Sequence, residues 1–313
     1  MKPIRGGLLS ALGVVLLVFV FALLDPLPFP QGQVARAAFP GQNGVIAFAS
    51  DRSGESVDIY KMHPDGSHLR RLTNDLANDD HPDFSPDGEH IVYTRRRSHK
   101  ATIYVMAADG SHQRRLTRKR GHELDPAFSA DGAKIVYSQD RPDGLSDLFV
   151  MNADGSHRHL LAHHPGNDWG ATYSPSGDEI AYENTATDIS VYVMNADGSQ
   201  PRLLTDHPND DFSWWPDFSP DGAKIVYSSF RRYIPQIYLM DADGSDQHPL
   251  TDGQAAWKVA PVFSPNGSKI AYVRWGNRSD DIDIYVMDAD GSRRHNITHS
   301  SAKEGSLDWG PRP

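Results

Sequence analysis

The fold is decided by the stretch PDFSPDGEHIVYTRRRSHKATIYVMAADGSHQRRLT, residues 82–117. It contains two turn signatures, Ser85-Pro86-Asp87-Gly88 and Asp109-Gly110-Ser111. In such turns proline presets φ, serine and aspartate hydrogen-bond the local backbone, and glycine accepts positive φ. The apolar alternation expected of β-strands lies between the turns, at Ile91-Val92-Tyr93 and at residues 103–106. The stretch therefore predicts four short antiparallel strands, the last of which follows the second turn.

This unit recurs along most of the chain. The aromatic residue before the first turn returns at spacings of 44, 45, 45 and 45 residues, and the Asp-Gly-Ser turn occurs six times. An apolar–aromatic–x–Met strand precedes each Asp-Gly-Ser turn, and every methionine except Met1 occupies that position. The aromatics are Phe84, Phe128, Tyr173, Phe218 and Phe263, and the Asp-Gly-Ser turns begin at Asp65, Asp109, Asp154, Asp197, Asp243 and Asp290.

The repeat predicts an all-β fold, a six-bladed β-propeller with four antiparallel strands per blade. The first unit begins at residues 44–48, which match a second strand, and a first strand reappears at the other end as Asp308-Trp309-Gly310-Pro311. We expect this C-terminal strand to complete blade one and close the ring, because an open sheet would leave an unpaired edge. The propeller is predicted to occupy residues 40–313.

The repeat resembles that of the TolB-like β-propeller family. The resemblance rests on the Pro-x-Phe-Ser-Pro-Asp-Gly, Ile-Tyr-Val-Met-x-Ala-Asp-Gly-Ser and Leu-Thr units, and it covers all six blades. It implies an extracytoplasmic binding protein of the cell envelope, of the kind found in the Tol–Pal system. TolB itself carries an α/β domain ahead of its propeller. Here only a few residues separate the N-terminal segment from blade one, so we expect the propeller without that domain.

The N-terminal segment, residues 1–37, is predicted to be a signal peptide or a membrane anchor. Lys2 and Arg5 precede an uncharged apolar run, Leu8–Leu24, and residues 34–38 fit an A-x-A cleavage site after Ala37. The apolar run is also about as long as a short spanning helix. Both alternatives predict export, to the periplasm or out of the cell, and the second predicts membrane attachment through residues 8–24.

The composition argues against several classes of function. The absence of cysteine excludes a thiol nucleophile or a zinc–thiolate site, and the net charge of −10 argues against nucleic-acid binding. The sequence has no Gly-x-Ser-x-Gly nucleophile elbow, no phosphate-cradling glycine loop and no His-Glu-x-x-His motif. We therefore expect a binding protein without a cofactor rather than an enzyme.

Binding is expected at the loops between strands two and three and between blades. These loops vary, whereas the short uniform turns lie at the opposite end of the strands, and variable loops on a rigid scaffold usually carry function. We expect Arg95-Arg96-Arg97 to be a solvated run in such a loop. Aromatic side chains in these loops predict a platform for an envelope protein, a peptide or a glycan; the alternative is that they only pack loop to loop. They are Trp169, Trp214, Trp215, Trp257, Trp275 and Tyr233.

A second candidate site lies five residues before each first-strand aromatic. By symmetry these residues should surround one mouth of the central channel. Four of them are acids, and they could hold Ca²⁺, which prefers oxygen ligands; the alternative is a solvated acidic rim with Lys258 as its counter-charge. The rim residues are Asp79, Glu123, Asp168, Ser213, Lys258 and Glu304.

Two other functions remain open from the sequence. One is an exported, metal-assisted lyase or glycan hydrolase that uses the rim acids. The other is a structural surface protein whose propeller assembles with itself.

Overall fold

The computed structural model describes residues 39–313, except residues 55, 99, 118–120, 207–211, 232–233, 254–255 and 277–280. The described residues form 24 strands in six antiparallel sheets of four strands each. The predicted six-bladed propeller is therefore confirmed. The predicted export segment and Tyr233 lie outside the described residues. Among the described residues, no helix has the length and hydropathy needed to cross a bilayer.

Each blade runs from an inner first strand to a short outer fourth strand, and blade one takes its first strand from the C-terminus. Blade one contains β24 (Glu304–Pro311), β1 (Asn43–Ser50), β2 (Asp58–Met62) and β3 (Arg70–Arg71). Blade two contains β4 (Asn78–Phe84), β5 (His90–Arg97), β6 (Lys100–Ala107) and β7 (Arg114–Arg115). Blade three contains β8 (Glu123–Phe128), β9 (Lys134–Asp140), β10 (Ser146–Asn152) and β11 (His159–Ala162).

The other three blades have the same order. Blade four contains β12 (Asp168–Tyr173), β13 (Glu179–Asn184), β14 (Ser190–Asn195) and β15 (Arg202–Leu203). Blade five contains β16 (Phe212–Phe218), β17 (Lys224–Arg231), β18 (Ile234–Asp241) and β19 (His248–Pro249). Blade six contains β20 (Trp257–Phe263), β21 (Lys269–Trp275), β22 (Ile282–Asp288) and β23 (His295–Asn296).

The C-terminal strand closes the ring as predicted. In β24, Trp309 pairs with Ile46 of β1, and its side chain is only 1% exposed. The adjacent Asp308 accepts a hydrogen bond from the backbone N–H of Phe84 through Oδ2 at 2.7 Å. Phe84 belongs to blade two, so the closing strand also connects blade one to blade two by a hydrogen bond.

The core lies between the sheets and repeats with the blades. The centre of each second strand carries a buried aromatic residue, and a third-strand aromatic lies beside it with ring centroids 5.7 to 6.1 Å apart. The six repeat methionines are buried as well. The second-strand residues are Phe48, Tyr93, Tyr137, Tyr182, Tyr227 and Tyr272.

The two turn signatures lie at the same end of the strands, which we call the turn face; the opposite end is the variable face. In blade two the N–H of Ala108, beside the Asp-Gly-Ser turn, donates to the carbonyl of Glu89 in the other turn at 2.8 Å. The turn glycines also touch the neighbouring blade. Gly198 has φ of +86°, and a Cβ there would lie 2.3 Å from the carbonyl oxygen of Leu161 in blade three. Glycine is thus required both for the turn and for blade stacking.

The first strands are longer than the sequence predicts. In blade five, β16 begins at Phe212, and its pairing with β17 shifts register between Trp214 and Asp217. The shift is a β-bulge, and Trp215 within it has φ of +55°. A bulge interrupts the alternation of side chains along a strand. The sequence pattern therefore reveals only the part of each first strand that follows the bulge. The prediction that the tryptophans lie in loops is therefore wrong: Trp169, Trp214, Trp215 and Trp257 lie in first strands, and Trp275 lies in a second strand.

Candidate functional site

Four of the predicted tryptophans form two pairs, one on blade five and one on blade six. Trp214 and Trp215 meet edge to face with ring centroids 5.5 Å apart, and Trp257 and Trp275, which pair across β20 and β21, do so at 5.3 Å. All four are half-buried and pack against the core cluster between blades six and one. We call these four residues the tryptophan cluster. It combines rigid support with partly exposed rings, which is the form of an aromatic binding surface.

The other two predicted platform residues are not part of this cluster. Trp169 is half-buried on blade four, where it pairs with Glu183 of β13. Within the described part of the chain, the ring contacts of the tryptophan cluster do not include Trp169. Tyr233 lies outside the described residues. The structure thus narrows the predicted platform to two adjacent blades.

The rim residues are strand residues, and most of them are buried. The side chains of Asp79, Asp168, Ser213 and Glu304 are 0% exposed and that of Glu123 is 1% exposed. The expectation of a solvated rim is therefore wrong for these residues. The half-buried Lys258 donates to the carbonyl oxygen of Asp252 at 2.8 Å, a loop partner rather than a rim acid.

Each rim acid accepts at least one hydrogen bond from its own blade or from the loop that leads into it. Glu123 accepts a hydrogen bond from Thr117 Oγ1 at 2.9 Å, and Asp168 accepts one from Asn184 Nδ2 at 2.8 Å. Glu304 accepts one from Arg52. These bonds hold the four acids at separate places around the ring, because each acid lies in the first strand of a different blade.

Asp79 and Arg95 form a bidentate ion pair. The guanidinium donates from Nε and Nη2 to the two carboxylate oxygens, both at 2.7 Å, and it lies 4.6 Å from the ring centroid of Tyr104. Burial raises the pKa of Asp79, and the hydrogen bonds and charge of Arg95 oppose that rise. Arg96 pairs with Asp80 at 3.0 Å. The expectation that Arg95-Arg96-Arg97 is a solvated run in a loop is therefore wrong for Arg95 and Arg96, which lie in β5.

The rim acids do not converge on a common point. Among the described residues, one group of three potential ligands lies within 4.8 Å, and it is the exposed set Asp87, Glu89 and His90 on the turn face. Exposed acidic groups of this kind are common without an ion. A calcium ion at the channel mouth stays a prediction, and the pairings of the rim acids lend it no support.

A second layer of residues, two positions after each rim residue, was missed by the sequence analysis. Each occupies the bulge of a first strand, and all have positive φ, between +29° and +57°. Their chemistry differs from blade to blade, so no motif marks them; the constant offset from the rim is the one signal that could have found them. These bulge residues are His81, Asp125, Gly170, Trp215, Ala260 and Ser306.

The bulges connect neighbouring blades. The N–H of Asp125 donates to Thr94 Oγ1 of blade two at 3.2 Å, and the N–H of Ala260 donates to Ser228 Oγ of blade five at 3.1 Å. At the equivalent place the N–H of Trp215 donates to Glu183 Oε1 at 2.9 Å. Side chains of second strands therefore fix the positions of the bulges, and through Trp215 they fix one side of the tryptophan cluster.

Glu183, a second-strand residue that bonds to one of these bulges, has a strongly raised pKa. Burial raises the pKa of Glu183 to about 8; the hydrogen bond from the Trp215 N–H opposes the rise and the charge of Asp125 adds to it. Near Asp125, His81 Nδ1 lies 3.4 Å from its Oδ1 and 2.8 Å from Asp80 Oδ1. At neutral pH Glu183 is thus mostly protonated, beside an aromatic surface.

We expect stability to fall with rising pH because of Glu183. Between its ordinary pKa, 4.5, and about 8, the folded protein keeps a proton that the unfolded chain releases. The free energy of unfolding should therefore drop by roughly 2 kcal/mol from pH 6 to pH 8 on account of this group. Glu183→Gln keeps an oxygen for the Trp215 N–H and cannot titrate. Chemical denaturation at both pH values should show a smaller drop for Glu183→Gln; equal drops would contradict the assignment.

The comparisons with known proteins agree with this architecture. A family model described as the TolB beta propeller domain matches residues 29–141 and 184–274. No curated protein matches the chain.

Several solved structures share the fold. TolB from Acinetobacter baumannii has a TM-score of 0.76 at 20% identity, over 88% of this chain and 68% of that one. A putative TolB from Agrobacterium tumefaciens has a TM-score of 0.67 at 20% identity, over 86% and 99%. An oligogalacturonate lyase in complex with manganese has a TM-score of 0.58 at 14% identity, over 85% and 78%. At these identities the likeness concerns the fold.

Proposed function

The chain belongs to the TolB β-propeller family, and on that premise we propose that it is a binding module that holds a protein segment of the cell envelope on its tryptophan cluster. The observation that carries the proposal is the packing of two pairs of half-buried tryptophans, on two adjacent blades, against one core cluster. Tryptophan is enriched among the residues that dominate binding energy, especially where surrounding packing holds the ring in place.

The packing of the cluster supports binding by a preformed surface. Trp257 and Trp275 are fixed by strand pairing, and the backbone of Trp215 is fixed by Glu183. A ligand would therefore meet rings that are already ordered, so little side-chain entropy is lost on association. A peptide segment with an apolar or aromatic side chain suits such a surface.

The proposed setting is outside the cytoplasm. The support is the positive start of the chain followed by the apolar run Leu8–Leu24, together with membership in the TolB propeller family. Cleavage after Ala37 and retention as an anchor both leave the propeller on the extracytoplasmic side.

Binding is favoured over catalysis by the state of the rim acids. A general acid or base must reach the substrate, whereas Asp79, Asp168 and Glu304 are fully buried and already hydrogen-bonded. Because an oligogalacturonate lyase solved in complex with manganese has a similar fold, lyase activity is the enzyme alternative to test. Release of unsaturated sugars from oligogalacturonate by the purified chain would support it.

We expect Trp257→Ala to weaken peptide binding by about 30-fold, the size of a hot-spot loss. Peptides would be selected from a random library on the immobilised full chain. Their dissociation constants would then be measured by fluorescence anisotropy with labelled peptide. The ring of Trp257 supplies contact area in the cluster, so its removal should weaken binding while the melting temperature records any change in stability.

Trp169→Ala is the matched control, since it removes the same half-buried side chain from blade four. Equal losses for both variants would contradict a site on blades five and six, and failure to select any peptide would contradict the proposed function. Selective binding of glycans that is lost in Trp257→Ala would point to the glycan alternative. A homo-oligomer in size-exclusion chromatography, without any ligand, would favour self-assembly.

A further inference from the structure

In each blade the rim residue of the first strand lies opposite one residue of the second strand, and in blade six both members of this pair are cations. The rim residue Lys258 pairs with Arg274 across β20 and β21. We propose that these two residues, which we call the cation pair, bind a carboxylate of the partner segment, the side chain of an aspartate or a glutamate. The proposal deepens the proposed function and rests on it, because it names a chemical group of the segment held by the tryptophan cluster.

The same position in the other blades shows what blade six lacks. In blades two, four and five the two side chains bond to each other; the pairs are Asp79–Arg95, Asp168–Asn184 and Ser213–Ser229. In blades one and three an acid faces an uncharged side chain; the pairs are Glu304–Ser50 and Glu123–Gln139. Blade six thus has an arginine where blade two has one, but a lysine in place of the acid. Like charges directly opposite each other destabilise a sheet, so this pair suits an anion that another molecule brings.

The carboxylates near Arg274 do not take the place of that acid. Arg274 Nη1 lies 3.6 Å from Asp281 Oδ2, which is too long for a hydrogen bond, and the guanidinium lies 5.5 Å from the ring centroid of Tyr285. Asp283, opposite Arg274 on the third strand, accepts a hydrogen bond from Thr298 Oγ1 at 2.6 Å. Within the described part of the chain, Arg274 therefore makes no hydrogen bond to a carboxylate, although its counterpart in blade two makes two.

Lys258 is likewise held by neutral acceptors. Its Nζ donates to the carbonyl oxygens of Asp252 and Gly253 at 2.8 and 3.2 Å, while the Asp252 carboxylate accepts a hydrogen bond from Arg294 at 2.8 Å. Burial lowers the pKa of Lys258; the charge of Arg274 adds to this effect, the charge of Asp252 opposes it, and the charge of Arg294 adds to it. An added carboxylate would relieve the repulsion between the two cations of the pair.

The cation pair is accessible and lies beside the tryptophan cluster. The side chain of Arg274 is 28% exposed and Lys258 is half-buried, whereas Arg95 of blade two is buried. Because side chains alternate along a strand, the cation pair lies on the opposite face of its sheet from the two tryptophans of blade six. That face is turned to blade five, since Tyr285 beneath Arg274 packs against the core cluster between blades five and six. A segment that contacts the tryptophans of both blades therefore passes over the cation pair.

A carboxylate fits the two donors of the cation pair. A guanidinium presents parallel N–H groups that match the two oxygens of a carboxylate, and an ammonium adds a compact charge with three donors. The bidentate bond between Asp79 and Arg95 shows this geometry at the same position of blade two. In blade six the acid would come from the partner, and such charge complementarity selects the partner and its register.

The test uses sodium propionate, whose anion is the glutamate side chain without its backbone, on the full chain at neutral pH. Binding is followed by tryptophan fluorescence, with propionamide and sodium chloride at the same concentrations as neutral and ionic controls. We expect propionate alone to give a saturable signal. A signal no larger than that of sodium chloride would overturn the proposal.

Three variants separate the cation pair from general electrostatics. Arg274→Gln should weaken propionate binding about tenfold, the size of one lost hydrogen bond between charged groups. Lys258→Asp places an acid opposite Arg274, as in blade two, so it should abolish propionate binding and raise the melting temperature. The matched control is Lys269→Met, which removes a half-buried lysine from the turn face of the same blade and should leave binding unchanged. Equal affinity for all three variants, or a folded Lys258→Asp that still binds propionate, would overturn the proposal.

The outcomes also distinguish this proposal from the proposed function. Propionate binding without any selectable peptide would leave the carboxylate site standing and remove the peptide function. Peptide binding that depends on Trp257 but is the same in Arg274→Gln would do the reverse. Where both hold, the selected peptides should carry an aspartate or a glutamate whose amide variant binds about tenfold more weakly. Dependence on a free C-terminus instead, or a saturable response to inorganic phosphate in place of propionate, would overturn the acidic side chain.

Discussion

Deletion of residues 306–313 is expected to abolish cooperative folding. It removes Trp309 and Leu307 from the core between blades six and one, and it removes the carboxylate of Asp308 from the N–H of Phe84. Truncating a single large core side chain typically costs about 3–5 kcal/mol, and a whole domain is stable by only about 5–15 kcal/mol. The deletion also exposes the edge of β1, which invites aggregation.

Circular dichroism melting and size-exclusion chromatography measure this effect. The truncated chain should lose its sharp thermal transition and elute as expanded or aggregated material. Deletion of residues 312–313 is the control, because both residues are exposed and β24 remains intact. A cooperative transition within a few degrees of the full chain after the larger deletion would contradict closure by β24.

Asp79→Ala is expected to lower the free energy of unfolding by about 3 kcal/mol, because it removes the carboxylate that pairs with the buried guanidinium of Arg95. Arg95 is 6% exposed and also contacts Asp75 at 2.8 Å, which limits the loss. Urea denaturation monitored by tryptophan fluorescence would give the difference.

The double variant Asp79→Ala/Arg95→Leu is the matched control. It removes both charges, so it should be more stable than the sum of the two single changes implies. If Asp79→Ala unfolds like the unchanged chain, the ion pair is not a structural element. The result also affects any enzyme assay, because a loss of activity in Asp79→Ala could then come from lost stability rather than from a missing catalytic group.

The repeat made the fold predictable to the level of blades. The Asp-Gly-Ser and Ser-Pro-Asp-Gly turns and the third-strand aromatics each report a local conformation, so their periodicity translates directly into architecture. The same local logic failed at the first strands. There a bulge breaks the alternation, and the sequence pattern places Trp214 and Trp257 in loops although both are paired in strands.

The candidate site was predictable in composition but not in arrangement. The tryptophans could be listed from the sequence, and their grouping depends on which blades are adjacent. The spacing identified the rim acids as equivalent positions of the repeat, but their partners could not be inferred, since Arg95, Asn184 and Arg52 reach them through cross-strand or loop geometry. The role of Glu183 was missed entirely because it occupies a position held by Thr94 and Ser228 in other blades.

The layer of bulge residues also shows how the sequence of such a protein can change while its backbone is kept. All six positions adopt a left-handed backbone, although histidine, aspartate, tryptophan, alanine and serine accept it less readily than glycine. The surrounding strands therefore impose the conformation, and the side chain is left to vary. One bulge residue can therefore be exchanged for another during evolution without a change in the backbone of its strand. The six bulge positions can thus vary independently, one in each blade, while the backbone of the propeller stays the same.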